Sequence, residues 1–138
     1  MTVDILLRAA LVTTCQQAVL RFFSALDGGR WDEVAGSLAE DGVWHRQGKA
    51  LRGPDAVRAA MADRPAGRVT AHLVQNLVIE LDGERAATAR FMALTFRHDG
   101  GTPAPIGLPL SIAAYADRMR RDGDTWLVVE RRGIRVFG

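Results

Sequence analysis

Cysteine is almost missing from this chain: Cys15 is the only one in 138 residues. An intrachain disulfide and a thiolate metal cluster are thereby excluded, and a reducing, cytoplasmic setting is expected. An excess of one charge is missing too, since 18 basic against 16 acidic residues leave a formal net charge of +2. The pI of about 9.3 reflects that small surplus, carried mainly by arginine. A nucleic-acid surface calls for a clustered basic stripe, and the densest run, Arg118 to Arg121, is broken by Met119. No nucleic-acid partner is expected. Ile5 to Phe23 is rich in apolar residues, yet Asp4, Arg8, Gln16, Gln17 and Arg21 interrupt it, and no small-residue cleavage site follows. Neither a membrane span nor a signal peptide is predicted.

Also absent are a glycine-rich phosphate loop, a nucleophile elbow and a Cys-His constellation, which disfavours covalent catalysis. His45, His72 and His98 have no metal-ligand spacing, so no metal is predicted. Repeats and linkers are lacking, and the length suits one domain over residues 1–138. With 48% hydrophobic and 25% charged residues, the composition is that of an ordinary folded protein.

What is present is a long ribbon, Val69 to Arg97, that reads as two strands joined at Asp82-Gly83, where glycine supplies the positive φ a tight turn needs. Alternation with period two places His72, Val74, Asn76, Val78 and Glu80 on one face and Leu73, Gln75, Leu77, Ile79 and Leu81 on the other. A polar pair, His72 and Asn76, thus interrupts an apolar run and hints at a lined cavity. Before the ribbon, apolar residues from Leu6 to Leu26 recur at helical spacing up to Gly28-Gly29, with Thr13 or Thr14 able to cap a restart. A second helix is predicted over Trp31 to Ala39. A short hairpin follows, Val43 to Arg46 and Lys49 to Arg52 around Gln47-Gly48. Gly53-Pro54-Asp55 opens a third helix with proline in its first turn. After the ribbon, His98 to Pro109 carries three glycines and three prolines and is read as a loop. Leu110 to Arg121 and Trp126 to Val136 are two further strands. Helices first and a meander after them is the order of an α+β layer fold.

The segments FFSALDGGRWDEVAGSLAEDGVWH, LRGPDAVRAAM, VTAHLVQNLVIEL and AYADRMRRDGDTWLVVERRGIRV together resemble SnoaL-like members of the nuclear transport factor 2-like superfamily, from about Val19 to Val136. The resemblance implies a cone-shaped, curved antiparallel sheet covered by three N-terminal helices around a pocket, the cystatin-like α+β barrel. It also implies no bound cofactor and a homodimer formed through the outer sheet face. The subgroup it resembles most contains scytalone dehydratase and the bile-acid 7α-dehydratase, in which an Asp ending the first helix and a His on the strand after the third form a proton-transfer pair. Asp27 and His72 stand at those positions. Where scytalone dehydratase has a tyrosine before its acid this chain has Leu26, and Tyr115 falls near the position of its asparagine.

The site expected from these readings has Asp27, His72 and Tyr115 as catalytic residues. Phe23, Trp31, Trp44, Met61, Asn76 and Met92 are its expected substrate-binding residues. Imidazole exchanges protons near neutral pH, and a carboxylate fixes its tautomer. Tyr115 and Asn76 are candidate donors to a substrate oxygen, and the aromatic and methionine side chains are candidate walls for a flat apolar, aromatic or terpenoid-like ligand. His72 is alternatively a satisfied core histidine, with Asp27 a helix-terminal residue. Arg131, Arg132 and Arg135 read as solvated edge residues, one of which could anchor a substrate carboxylate. A lyase or isomerase acting on a hydroxylated cyclic compound is the reading of the whole. The alternative is a non-catalytic binding module, or an accessory subunit resembling the small beta subunit of ring-hydroxylating dioxygenases.

Overall fold

Alternation of apolar and polar residues commits the second half of the chain to long strands, and the reversals fall where the backbone can reach positive φ. A computed structural model, describing residues 4–138, shows the order α1 (Ile5–Asp27), α2 (Trp31–Gly36), β1 (Leu38–Arg46), β2 (Lys49–Arg52), α3 (Gly53–Ala62), β3 (Arg68–Asp82), β4 (Ala86–Asp99), β5 (Ser111–Asp122) and β6 (Thr125–Phe137). Gln47 and Gly48, with φ of 52° and 78°, turn β1 into β2. Gly83, at φ 69°, begins the β3–β4 connection.

The fold is α+β. One six-stranded sheet, ordered β2-β1-β6-β5-β4-β3, curves beneath the helices and stays unclosed. It is not wholly antiparallel: β1 runs parallel to β6, while every other neighbouring pair is antiparallel. That crossing brings the N-terminal half of the chain into the middle of the sheet. The core lies between α1 and the inner sheet face, where Phe22, Phe23, Trp44, Phe91, Met119 and Trp126 are all buried.

Several local expectations change. α2 stops at Gly36 rather than running to Ala39, because the Val128 N–H donates to the Ser37 carbonyl (2.9 Å) and draws the following residues into the sheet as β1. α1 is unbroken through Thr13 and Thr14. Thr14 Oγ1 donates back to the Ala10 carbonyl (2.8 Å) and accepts from Trp126 Nε1 (3.0 Å), so it fastens helix to sheet instead of capping a restart. Leu6 and Leu7 precede the covered part of α1 and are exposed.

The largest change is in β3. Asn76 has φ 57° and sits at a register break between Gln75 and Val78, a β-bulge that reverses which side chains face inward beyond it. His72 and Val74 therefore share the inner face with Leu77 and Ile79, which strict alternation places on the other face.

Candidate active site

Asp27 is the last residue of α1, held there because Gly29 takes φ 70° and the helix cannot continue. A helix C-terminus is the negative end of its dipole and a poor place for an ionised carboxylate. Three donors offset this. The backbone N–H of His72 reaches Asp27 Oδ2 (2.8 Å), the Thr70 hydroxyl donates to Oδ1 (2.9 Å), and His72 Nδ1 lies 2.6 Å from Oδ1. Burial raises the Asp27 pKa, but those hydrogen bonds and the imidazole charge outweigh it, and the carboxyl ends below the usual carboxylate range.

Thr70 precedes His72 by two residues on the same strand face, so both meet the helix end together. Arg64, just after α3, backs the arrangement. Its Nη2 donates to Thr70 Oγ1 (2.9 Å) and the Arg68 carbonyl (3.1 Å), and its Nη1 donates to the Leu26 carbonyl (3.2 Å) at the helix end. A relay of hydrogen bonds thus runs Arg64–Thr70–Asp27–His72. The motif reading overlooks Arg64 and Thr70, although the position of Thr70 two before His72 is a usable signal.

The His72 side chain is 12% exposed, its ring tilted against Phe23 at 5.3 Å between centroids. It lines a cavity of about 640 Å³ together with Trp44, Met61, Thr95 and Tyr115. With Nδ1 engaged by Asp27, Nε2 is the ring nitrogen left for the cavity. Tyr115 stacks on Phe91, rings 4° from parallel at 5.1 Å. Gly133 lies opposite Tyr115 in the β5–β6 ladder, and a Cβ there would come within 2.9 Å of the ring. Burial raises the Tyr115 pKa, a neighbouring Asp117 adds to that, and Arg131 and Arg46 oppose it only in part, so the group stays a neutral phenol.

The expected site residues separate. His72, Tyr115, Trp44 and Met61 line the cavity, and Asp27 stands behind His72. Phe23 is buried in the core against the imidazole. Trp31 lies outside the cavity lining, with the Arg64 guanidinium 5.5 Å from its ring. Asn76 is exposed and serves as the bulge residue. Met92 sits on the outer sheet face, because Phe91 and Ala93 beside it face the core. The expectation for Arg131 also changes. A second break, at Val129, turns it inward, where it forms a two-point pair with Asp117 (Nε–Oδ1 2.9 Å, Nη2–Oδ2 2.5 Å), both completely buried. A larger open groove of about 890 Å³ lies beyond α1, near Gln17 and Trp126, away from His72.

No curated protein matches the chain in sequence. Among solved structures, an NTF2-like protein with a cystatin-like fold from Novosphingobium aromaticivorans superposes with a TM-score of 0.78 at 21% identity, over 91% of this chain and 82% of its own. A provisionally named scytalone dehydratase from the same organism gives 0.75 at 17% identity, over 91% and 83%. A hexachlorocyclohexane dehydrochlorinase, LinA type 2, gives 0.80 at 15% identity, over 97% and 90%. The profile of the SnoaL-like domain matches residues 8–132, and the chain belongs to that family.

Proposed function

We propose that the protein is a cofactor-independent lyase of the dehydrating kind, or an isomerase, acting on a small hydroxylated cyclic compound through Asp27 and His72. The observation that carries this is the 2.6 Å contact between His72 Nδ1 and a carboxylate, with His72 lining a cavity of about 640 Å³. That volume suits a compound of two or three fused rings. Two structural relatives are named for eliminations, one of water and one of hydrogen chloride.

In an elimination, His72 Nε2 removes a proton from the carbon beside a carbonyl or phenol. The C–H electron pair forms the new double bond and the C–O bond to the hydroxyl breaks. The imidazolium returns the proton to the departing oxygen, which leaves as water. Asp27 stabilises the imidazolium, and the helix C-terminus beside it favours the same positive charge. The Tyr115 hydroxyl, which has no protein partner among the described residues, donates to the oxygen on which negative charge develops. We also propose pairing of two copies through the outer sheet face, where Leu73, Val78 and Ile134 are exposed.

The test is a panel of hydroxylated cyclic ketones and phenols followed by absorbance of the conjugated product. His72→Ala is expected to abolish turnover while keeping stability within about 1–2 kcal/mol of the wild type. Turnover at the wild-type rate in that variant removes His72 from the mechanism.

A further inference from the structure

Five arginines line the cavity that holds His72: Arg46, Arg64, Arg68, Arg97 and Arg135. Asp63 is the only carboxylate among the lining residues. Such a wall is not the apolar hollow that the sequence pattern implies. Two of the five are already engaged. Arg64 holds the Leu26 carbonyl and Thr70, and Arg68 makes a two-point pair with Asp99 at 2.7 and 3.0 Å. Arg46, Arg97 and Arg135 have no carboxylate within ion-pair distance among the described residues.

Their placement differs. Arg97 and Arg135 are exposed, whereas Arg46 is half-buried at the end of β1 with its guanidinium 5.5 Å from the Trp44 ring. Burial lowers the Arg46 pKa and the neighbouring Arg68 charge lowers it further, with Tyr115 opposing in part and Arg64 adding a smaller lowering. Several cations crowded around one cavity repel each other, and an anion placed among them relieves that repulsion. Guanidinium groups match the planar, two-oxygen geometry of carboxylates and phosphate esters.

We propose that the cavity takes a substrate bearing an anionic oxygen group, a carboxylate or a phosphate ester, held by Arg46 with Arg97 and Arg135 at the rim. This rests on the cavity being the substrate site, as proposed above, and adds the charge of the substrate. The anion sits toward the arginines and the reacting carbon toward His72.

The test is isothermal titration of 2-naphthoate, 2-naphthyl phosphate and uncharged 2-naphthamide into the wild type and the variants R46Q, R97Q/R135Q and H72A. The wild type is expected to bind at least one anion about tenfold or more tightly than the amide, the scale of one charge-assisted contact. Whichever anion binds better tells a carboxylate substrate from a phosphate ester. R46Q should lose most of that preference while binding the amide as before, and R97Q/R135Q should lose a smaller part. H72A should keep the preference, which separates the anchor from the catalytic pair: a chain inactive on every alcohol but still selective for anions sinks the lyase reading and leaves this one standing. Equal affinity of the wild type for amide and anions, no binding of either anion at millimolar concentration, or an anion preference unchanged in both arginine variants overturns the proposal.

Discussion

At the scale of single residues, Asp27 carries the most consequence, because one carboxylate both orients His72 and completes the packing of a helix end. Its pKa lies below the ordinary carboxylate value, net of a burial effect of opposite sign. A depressed folded-state pKa contributes stability that is fully present above the unfolded value, about 3.9, and is lost as the pH falls through the folded value. The stability difference between the wild type and Asp27→Asn is therefore expected to shrink as the pH falls below about 4. Urea denaturation at several pH values reads this directly. A difference that stays the same into acid would mean that Asp27 has no favourable charged interaction.

At the scale of elements, two of the register breaks decide what faces the site and the core. Asn76 in β3 and Val129 in β6 each shift the alternation by one residue, and the second puts Arg131 opposite Asp117 on the inner face. The guanidinium also lies 3.7 Å from the centre of the Phe22 ring. Asp117→Ala leaves this cation buried and unpaired, which is expected to cost about 3–5 kcal/mol, whereas replacing both partners by apolar side chains costs less. Denaturation midpoints of the single and double variants, at unchanged m-value, measure the contrast. A single variant within 1 kcal/mol of the wild type would show that water reaches the pair. The same elements show what a sequence reader can and cannot see. Gln47-Gly48, Pro54 and Asp82-Gly83 mark their turns and helix start locally, because glycine reaches positive φ cheaply and proline fixes φ wherever they stand. A bulge has no such local mark: Asn76 looks like any polar strand residue, and its positive φ is imposed by pairing with β4. Asn76 and Arg131 depart from their expected faces for that reason, while His72, before the first bulge, keeps its expected side; Met92 faces outward by plain alternation, since Phe91 and Ala93 beside it face the core. Leu38 and Ala39 read as helix because their strand partner, β6, lies some ninety residues further along the chain.

At the scale of the whole molecule, the unclosed sheet leaves a concave face that the helices roof over and an outer face without cover. Leu73, Val78, Ile134 and Val136 are all more than 40% exposed there, at 47%, 57%, 73% and 52%. Apolar exposure of this extent on one surface favours association. A homodimer at micromolar concentration is expected by light scattering, with Ile134→Arg shifting it toward monomer; a wild-type monomer would contradict the pairing. No helix among the described residues is long and apolar enough to cross a membrane. The overall layering was accessible from sequence because helix and strand periods alternate cleanly along the chain. The arginine-lined cavity was not, since Arg46, Arg64, Arg97 and Arg135 come from separate segments that only the curvature of the sheet brings together. The proposed proton transfer depends on His72 presenting a bare Nε2 to that cavity. The direct measurement is nitrogen-15 NMR of the His72 ring in its neutral form: the account predicts the proton on Nδ1, against Asp27, with that bias lost in Asp27→Asn, and a ring carrying its proton on Nε2 would contradict it.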